Sequence, residues 1–274
     1  MSTTRISHAK KMSCALTIAG LDPGGGAGIL ADLRGFAAAG AFGCAIASLL
    51  TVQSTSGLRS SRPVAGSLII EQANVVVRDQ RLRAVKIGAL GSIENVRAVA
   101  AWLGRHTDLP AVVDPVLLPT AGRGRLLEAG AVGVFKAELL PRAALITANV
   151  PEAEALLDRR VLSAADARDA ALGLVALGAH AALVKGGHLT EKSAVDVLAV
   201  GRRIFEFGSP RLRLPSLHGG GCALASLIAG RLAVGRGGAD DARLVEAVRW
   251  ARRAHQRALR SPIDVSGVAR VLVP

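Results

Sequence analysis

Leu217-His218-Gly219-Gly220-Gly221-Cys222-Ala223-Leu224-Ala225-Ser226 sets three consecutive glycines directly before a small-residue helical pattern, and that junction restricts the fold more than any other stretch. Glycine reaches backbone conformations closed to other residues, so three in a row can turn successive N–H groups toward one point where a helix begins. A helix is expected over residues 222–234, stopped by Gly235. The partial positive charge of its N-terminus completes a cradle for a phosphate or a developing phosphoryl charge. Cys222 falls in the first turn, where a thiol can have its pKa lowered and can accept a proton from an attacking hydroxyl. The same residues also read as a glycine-rich turn with a buried cysteine packed like a small apolar side chain.

Earlier segments repeat one arrangement, a short apolar run closed by a polar or glycine loop and followed by a helical pattern. Residues 15–19 suit a buried strand, residues 20–28 break it with five glycines and a proline, and residues 29–39 are helical in pattern. In α/β proteins such a junction, at the carboxyl end of a parallel strand, is where ligands bind. Ile29 and Leu30 stand where a phosphate-binding loop would need Lys and Ser/Thr, so that motif is excluded. Asp32, one turn into the helix, either faces the cleft as an acceptor or is a solvated residue favoured by the helix dipole.

Residues 43–52 form a second strand pattern that ends in the polar loop 53–57, where Gln53 either offers the donors and acceptor that reading a heterocycle edge requires or is an ordinary loop glutamine in water. A helix is expected over 68–78, a strand over 84–88, a helix over 90–103 and a buried strand over 111–116 with Asp114 near its tip and Pro115 ending it. After the strand 144–147, Asn149 and Glu152 put an amide and an acid three residues apart, a spacing that also serves as a helix cap with a capping box. Helices are expected over 152–157 and 164–177. The apolar run at 182–184 ends in Lys185, beside two glycines, where an ammonium can reach phosphates. Residues 195–200 and 203–207 read as a hairpin, and residues 242–259 as a helix with a mostly alanine stripe and arginines on its other faces, suited to core packing rather than a membrane surface.

Composition narrows the partners. The formal net charge is +13, from 34 Lys+Arg against 21 Asp+Glu, but only 3% of residues are aromatic with no Tyr, so stacking platforms for nucleic acid are scarce. A basic surface serves equally to steer phosphorylated metabolites. Three cysteines, Cys14, Cys44 and Cys222, are too few for a disulfide framework or a zinc site and point to a reducing cytoplasm. No uncharged apolar run reaches the ~18 residues of a membrane span. Residues 1–13 read as a disordered basic leader, and 14–274 as a single domain.

Six motifs occur in order: residues 15–33, 85–92 (Val-Lys-Ile-Gly-Ala-Leu-Gly-Ser), 113–116 (Val-Asp-Pro-Val), 147–154 (Thr-Ala-Asn-Val-Pro-Glu-Ala-Glu), 184–188 (Val-Lys-Gly-Gly-His) and 218–222 (His-Gly-Gly-Gly-Cys). Together they closely resemble the hydroxymethylpyrimidine/phosphomethylpyrimidine kinases of thiamine biosynthesis, members of the ribokinase-like superfamily. The resemblance implies a three-layer α/β/α sandwich with a mostly parallel central sheet, ATP and Mg²⁺, a homodimer, and phosphorylation of a pyrimidine hydroxymethyl group and then of its monophosphate. It also implies roles. Gly20, Asp32, Gln53 and Val116 match positions that hold the aminopyrimidine, Asn149 and Glu152 match the motif that organises Mg²⁺ (Glu152 through water) and phosphate, and Lys185 and Asp114 match nucleotide-side contacts. Gly219, Gly220, Gly221 and Cys222 match the anion hole and the proposed base.

Three departures bear on the substrate. Gly220 replaces the family's threonine, Ala89 stands where a methionine commonly packs on the pyrimidine, and Thr120-Ala121-Gly122-Arg123-Gly124-Arg125 exchanges an acidic loop for a basic one. A pyridoxal-type kinase, or a catalytically silent pyrimidine binder, are the alternative readings these departures raise.

Overall fold

Six short strands lie side by side in parallel at the centre of the computed structural model, which describes residues 11–54, 57–117, 126–188, 193–212, 217–235, 240–265 and 270–274. In chain order the elements are β1 (Cys14–Leu21), α1 (Gly28–Ala38), β2 (Phe42–Ser54), β3 (Gly57–Pro63), α2 (Gly66–Asp79), β4 (Leu82–Ile87), α3 (Ile93–Arg105) and β5 (Ala111–Val113). Then come α4 (Ala131–Val134), continued by a π turn and a 3₁₀ turn to Arg142, β6 (Leu145–Asn149), α5 (Val150–Leu157), α6 (Ala164–Ala176) and β7 (Ala181–Lys185). The chain ends with β8 (Ser193–Val200), β9 (Arg203–Pro210), β10 (Leu217–His218), α7 (Gly220–Val234), α8 (Asp241–Arg260), β11 (Ile263–Asp264) and β12 (Arg270–Val271).

The main sheet has the order β3-β2-β1-β4-β5-β6-β7-β8-β9, with β3 antiparallel on one edge and the β8–β9 hairpin antiparallel on the other. The chain leaves β1 toward β2 and then returns across β1 to β4, so the strand order reverses between β1 and β4. That switch opens a crevice at the strands' carboxyl ends.

Alternate residues of each strand supply the two layers. Leu16, Ile18, Val85, Ile87, Val113, Ile146 and Val184 pack with α2, α3, α5 and α6 on one face. Ala15, Ala84, Val112, Leu145, Ala181 and Leu183 pack with Phe36 of α1 and with α7 and α8 on the other. This is the expected three-layer sandwich. Small residues on the second face let α7 lie close to the sheet, and ten of its residues are buried, so this helix is apolar all round rather than amphipathic. In α8 the stripe Leu244, Ala247, Val248, Ala251, Ala254 and Ala258 is buried, as core packing requires.

Several elements differ from the sequence reading. β2 runs on to Ser54 and pairs with β3, so Gln53 lies within a hairpin strand, opposite Leu58, and not in a loop. Gln53 and Ser54 read as the start of a loop because both are polar and neither is buried. β3, the helical segment after Gly130 and the small β10–β12–β11 sheet were not anticipated; each is short or weakly patterned. β5 spans three residues only, since Pro115 offers no N–H to continue the ladder. α7 begins at Gly220 rather than at Cys222. Residues 1–10 of the expected leader, and the departures at 120–125, lie outside the described residues.

Candidate active site

A row of polar side chains crosses the α1/α7 face of the sheet, each two residues beyond an apolar one. Thr17 follows Ala15 on β1, Lys86 follows Ala84 on β4, Asp114 follows Val112 beyond β5, Thr147 follows Leu145 on β6, and Lys185 follows Leu183 on β7. Because side chains alternate along a strand, residues two apart share a face, so the row sits just above the core at the strands' carboxyl ends. Thr17 lies opposite Lys86 in the β1–β4 pairing, and Lys185 opposite Asn149 in β6–β7.

The β5–β7 half of the row is open to the crevice. Lys185 Nζ lies 3.3 Å from Asp114 Oδ1 and 4.0 Å from Glu152 Oε2, and the Thr147 hydroxyl donates to the same Asp114 oxygen at 3.3 Å. Burial opposes both charges, but Lys185 and Lys86 outweigh it at Asp114, whose carboxyl is held below its usual range, while Asp114 and Glu152 hold the Lys185 ammonium above its own. Glu152 goes the other way. Burial, with the charge of Asp114 nearby, pushes its carboxyl up to about 7 against the pull of Lys185. Asn149 and Glu152 form a reciprocal capping box at the start of α5, each backbone N–H donating to the other's side chain at 2.8 Å. The cap that the spacing allowed is therefore present, and it is what fixes Glu152 beside Lys185.

The glycine cradle closes over this half. Gly219 is the N-cap of α7 with φ +80°, a conformation natural to glycine, and a Cβ there would lie 1.9 Å from the Gly26 carbonyl oxygen. The two glycine loops are thus in backbone contact. The first intrahelical bond runs from Ala223 N–H to the Gly219 carbonyl, 3.0 Å, which leaves the N–H groups of Gly220, Gly221 and Cys222 ahead of the ladder, directed out of the helix terminus. Lys185 Nζ sits 3.2 Å from where a Gly221 Cβ would be, so an ammonium and the helix dipole address the same point. Asp22, which sequence reading passed over, shapes the neighbouring loop by accepting from Gly24 N–H and Ala27 N–H at 2.9 Å each.

Cys222 corrects an expectation. Burial pushes its thiol up to about 12 despite the attraction of Lys86 and a hydrogen bond from Gly28 N–H, while Asp114 and Asp32 add to the rise. The helix terminus does not lower this pKa, because desolvation, with Asp114 and Asp32 nearby, outweighs it.

The β1–β4 half of the row is sealed. Lys86 Nζ and Asp32 Oδ2 pair at 3.0 Å with both side chains fully buried, and Thr17 Oγ1 donates to the same oxygen at 2.6 Å. Burial alone would lower the Lys86 ammonium, but Asp32 outweighs it and holds the ammonium above its ordinary range. Asp32 therefore neither faces an open cleft nor is solvated, and its buried Oδ1 has no hydrogen-bond partner among the described residues. The available signal was Lys86 itself, a charge inside the otherwise apolar run 84–87.

Near the end of β1, Gly20 pairs with Leu49 of β2, and a Cβ on it would lie 3.6 Å from Leu49 Cβ and 3.7 Å from Ala89 Cβ. Leu49, Leu58, Ala89 and Leu126 form a separate apolar cluster with Val116 packed on it. Gly20, Ala89 and Val116 thus meet as an apolar floor, and Gln53 stands further along the β2–β3 hairpin.

The profile of the phosphomethylpyrimidine kinase family matches residues 22–271. The chain belongs to this family. It is 39% identical over 216 residues to the hydroxymethylpyrimidine/phosphomethylpyrimidine kinase of Escherichia coli (strain K12), covering 78% of this chain and 81% of that one. It is 41% identical over 220 residues to a thiamine biosynthesis bifunctional protein of Geobacter sulfurreducens, where the match covers 80% of this chain but only 45% of the relative. Among solved structures, a phosphomethylpyrimidine kinase from Clostridium difficile 630 superposes with a TM-score of 0.77 at 32% identity, covering 90% of this chain and 99% of that one. A Bacillus subtilis pyridoxal kinase solved with ADP superposes with a TM-score of 0.84 at 26% identity, covering 95% and 96%.

Members of this family are kinases, and the residues present fit a magnesium ion in a particular way. Among the described residues no three His, Cys, Asp or Glu side chains cluster tightly enough to ligate a metal. Asp114 and Glu152 do share one ammonium, that of Lys185, at 3.3 and 4.0 Å. That donor set suits an ion held largely by phosphate oxygens and water.

Proposed function

We propose that the crevice transfers the γ-phosphoryl group of ATP to the hydroxymethyl oxygen of 4-amino-5-hydroxymethyl-2-methylpyrimidine and then to the resulting monophosphate, the activity named for its relatives in thiamine biosynthesis. The observation that carries this reading is the convergence of Lys185 and the free N–H groups of α7 on one point beside Asp114 and Glu152. Phosphoryl transfer asks a protein mainly to position its reactants and to neutralise the spreading charge. The cradle N–H groups of Gly220, Gly221 and Cys222 would receive the transferred phosphoryl oxygens, and Lys185 would follow their charge. Asp114 and Glu152, through water, would hold Mg²⁺, which shields the phosphates. Gly20, Ala89 and Val116 would cover the ring, and Gln53 would reach its polar edge. Asp32 supports the ring side from below through Lys86.

Cys222 is the group we assign to receive the hydroxyl proton. With its thiol pushed up to about 12, the thiolate fraction at neutral pH is small and grows tenfold with each pH unit. In the loose transition state the hydroxyl releases its proton late, which tolerates a scarce base better than a misplaced one. Log kcat is therefore expected to climb with pH between 6 and 9 without a plateau, and Cys222→Ala to keep ATP binding while losing most turnover. A flat profile, or a fully active Cys222→Ala variant, would remove Cys222 from the proton transfer.

Assaying the pyrimidine, its monophosphate and pyridoxal side by side with Mg·ATP, and matching ADP formed to phosphorylated product, tests the whole reading. Equal or greater turnover of pyridoxal would shift it to a vitamin B6 kinase, the second reading, which the small Ala89 side chain raises and which the relatives named as pyrimidine kinases support less well. Ligand binding with no product would leave a silent binder. On the same reading the enzyme is a homodimer of a reducing cytoplasm. Its three cysteines are free, Leu50 and Val52 on β2 are exposed apolar residues suited to a second copy, and among the described residues no helix is long and apolar enough to cross a membrane. Light scattering of the purified chain checks the dimer.

A further inference from the structure

His255 of α8 lies outside every motif, yet its ring Nε2 is 2.9 Å from the carbonyl oxygen of Gly220. A carbonyl only accepts, so this nitrogen carries the proton and donates. Burial pushes the ring down to about 4, which keeps it neutral and in this single tautomer at working pH. The bonded atom matters because the Gly220 carbonyl and the Gly221 N–H belong to one planar peptide unit. A second hydrogen bond on the oxygen, from outside the helix, narrows the range of directions in which the N–H points into the cradle. A hydrogen bond accepted at the oxygen also polarises the unit and strengthens its N–H as a donor.

The Gly220 carbonyl also accepts from Leu224 N–H in the first turn of α7, so His255 is its second donor and the one that comes from outside the helix. Gly219, Gly220 and Gly221 carry no side chains, and α7 has no side-chain cap. One turn earlier on the same face of α8, Arg252 Nε donates to Asp196 Oδ2 at 2.7 Å. The other oxygen of Asp196 accepts from Gly186 N–H at 2.9 Å, the residue after Lys185. Two side chains of α8, three residues apart, thus reach the two parts of the phosphate site.

We propose that His255 is a positioning residue for phosphoryl transfer, which through the Gly220 carbonyl aims the Gly221 N–H at the transferring group and stands in for the side chain that the glycine cradle lacks. This rests on the kinase reading above. His255 touches neither substrate nor nucleotide in this role, so it acts on the transition state and leaves ground-state binding almost untouched.

The test compares wild type with His255→Gln, whose amide can reproduce the Nε2 donor, and His255→Leu, which cannot. In His255→Leu, kcat with the pyrimidine is expected to fall about 10- to 100-fold, somewhat less than loss of a direct oxyanion donor, with KM for ATP within about threefold. His255→Gln is expected to stay within about threefold of wild type in kcat. Affinity for ADP with aluminium fluoride should fall in step with kcat in the leucine variant, while affinity for ADP alone holds. A purely structural role would instead lower the melting temperature and ADP binding together. A leucine variant as fast as wild type, or a glutamine variant as slow as the leucine one, overturns the proposal. If the leucine variant does not fold, ¹⁵N NMR of the wild-type ring decides: a proton on Nδ1 rather than Nε2 refutes the bond. Absence of phosphorylated product from wild type would defeat the kinase reading itself and is seen before any variant is made.

Discussion

Two lysines stand in one polar row, and their surroundings differ in a way that divides the labour of the site. Lys86 has one carboxylate, Asp32, with a hydroxyl to brace it, and no access to solvent. Lys185 has two carboxylates at looser distances, 3.3 and 4.0 Å, and its side chain keeps 14% of its exposure beside the cradle. A sealed pair cannot exchange its partner for a phosphate without exposing a buried charge, so Lys86 is a fixed potential under Cys222 and the ring floor. An open cluster with a surplus carboxylate can exchange, since a bound cation and phosphates replace what Lys185 now shares. The crevice joins a rigid half that frames the ring to an adaptable half that handles the phosphoryl group.

Removing each lysine should separate the two roles most strongly. Lys185→Met is expected to cut kcat by about 10²- to 10³-fold, as loss of a transition-state charge contact does, with a smaller stability loss because Glu152 readily takes up a proton and Asp114 keeps Thr147. Lys86→Met should destabilise the fold by about 3–5 kcal/mol by leaving Asp32, whose carboxyl burial already holds above its usual range even against the pull of Lys86, in the core without its partner. The double change Lys86→Met with Asp32→Leu should recover most of that loss, since an apolar pair of similar volume strands nothing. Thermal and denaturant melts with single-turnover rates read both effects. The contrast fails if Lys86→Met melts like wild type or Lys185→Met still turns over normally.

A smaller effect sharpens the contrast through pH. Glu152 is pushed from an ordinary 4.5 to about 7 in the fold, so the folded chain holds that proton more tightly than the unfolded one. Its contribution to stability is complete below about pH 4.5 and is lost as pH rises through about 7. Glu152→Gln removes the ionisation and keeps the capping box, which accepts either residue at N3. The variant should be more stable than wild type by about 1–3 kcal/mol at pH 8, with the gap narrowing at pH 5.5, while turnover falls for want of the carboxylate. A variant no more stable than wild type at pH 8 would show that the fold does not penalise the ionised Glu152.

Much of this was legible in residue order, but unevenly. Continuous apolar runs made the parallel strands plain, and the polar residues that end runs, Asp114 and Lys185, stood out because a charge closing an apolar segment is conspicuous. Thr17, Lys86 and Thr147 occupy the same row yet lie inside runs, where a single polar residue is easily absorbed into an apolar reading. The burial of Asp32 and the rise of the Cys222 thiol depend on what packs over them from α7 and β4, contacts between segments far apart in the chain. His255 and Arg252 sit among the arginines of α8, and no local pattern tells them from the solvated ones. The β2–β3 hairpin was missed for the opposite reason, since its outer positions are too exposed to alternate cleanly.

The smallest expected effect lies on the sealed side, at Ala89. Its backbone is pinned: the Ser48 hydroxyl donates to the Ala89 carbonyl at 2.6 Å, and buried Asn95 donates to the Leu90 carbonyl at 2.7 Å. A larger side chain there must project from a fixed point toward Val116 and Gly20 rather than move the strand end aside. Ala89→Met should therefore narrow the ring floor without disturbing Lys185 or the cradle. Because a few methylenes in an apolar pocket discriminate by about 1–3 kcal/mol, the ratio of kcat/KM for pyridoxal to that for the pyrimidine should fall about tenfold, with KM for ATP and the melting temperature little changed. Were ATP affinity to move as much as the ring preference, the rigid and adaptable halves would be coupled through β4, and the division between them would not hold.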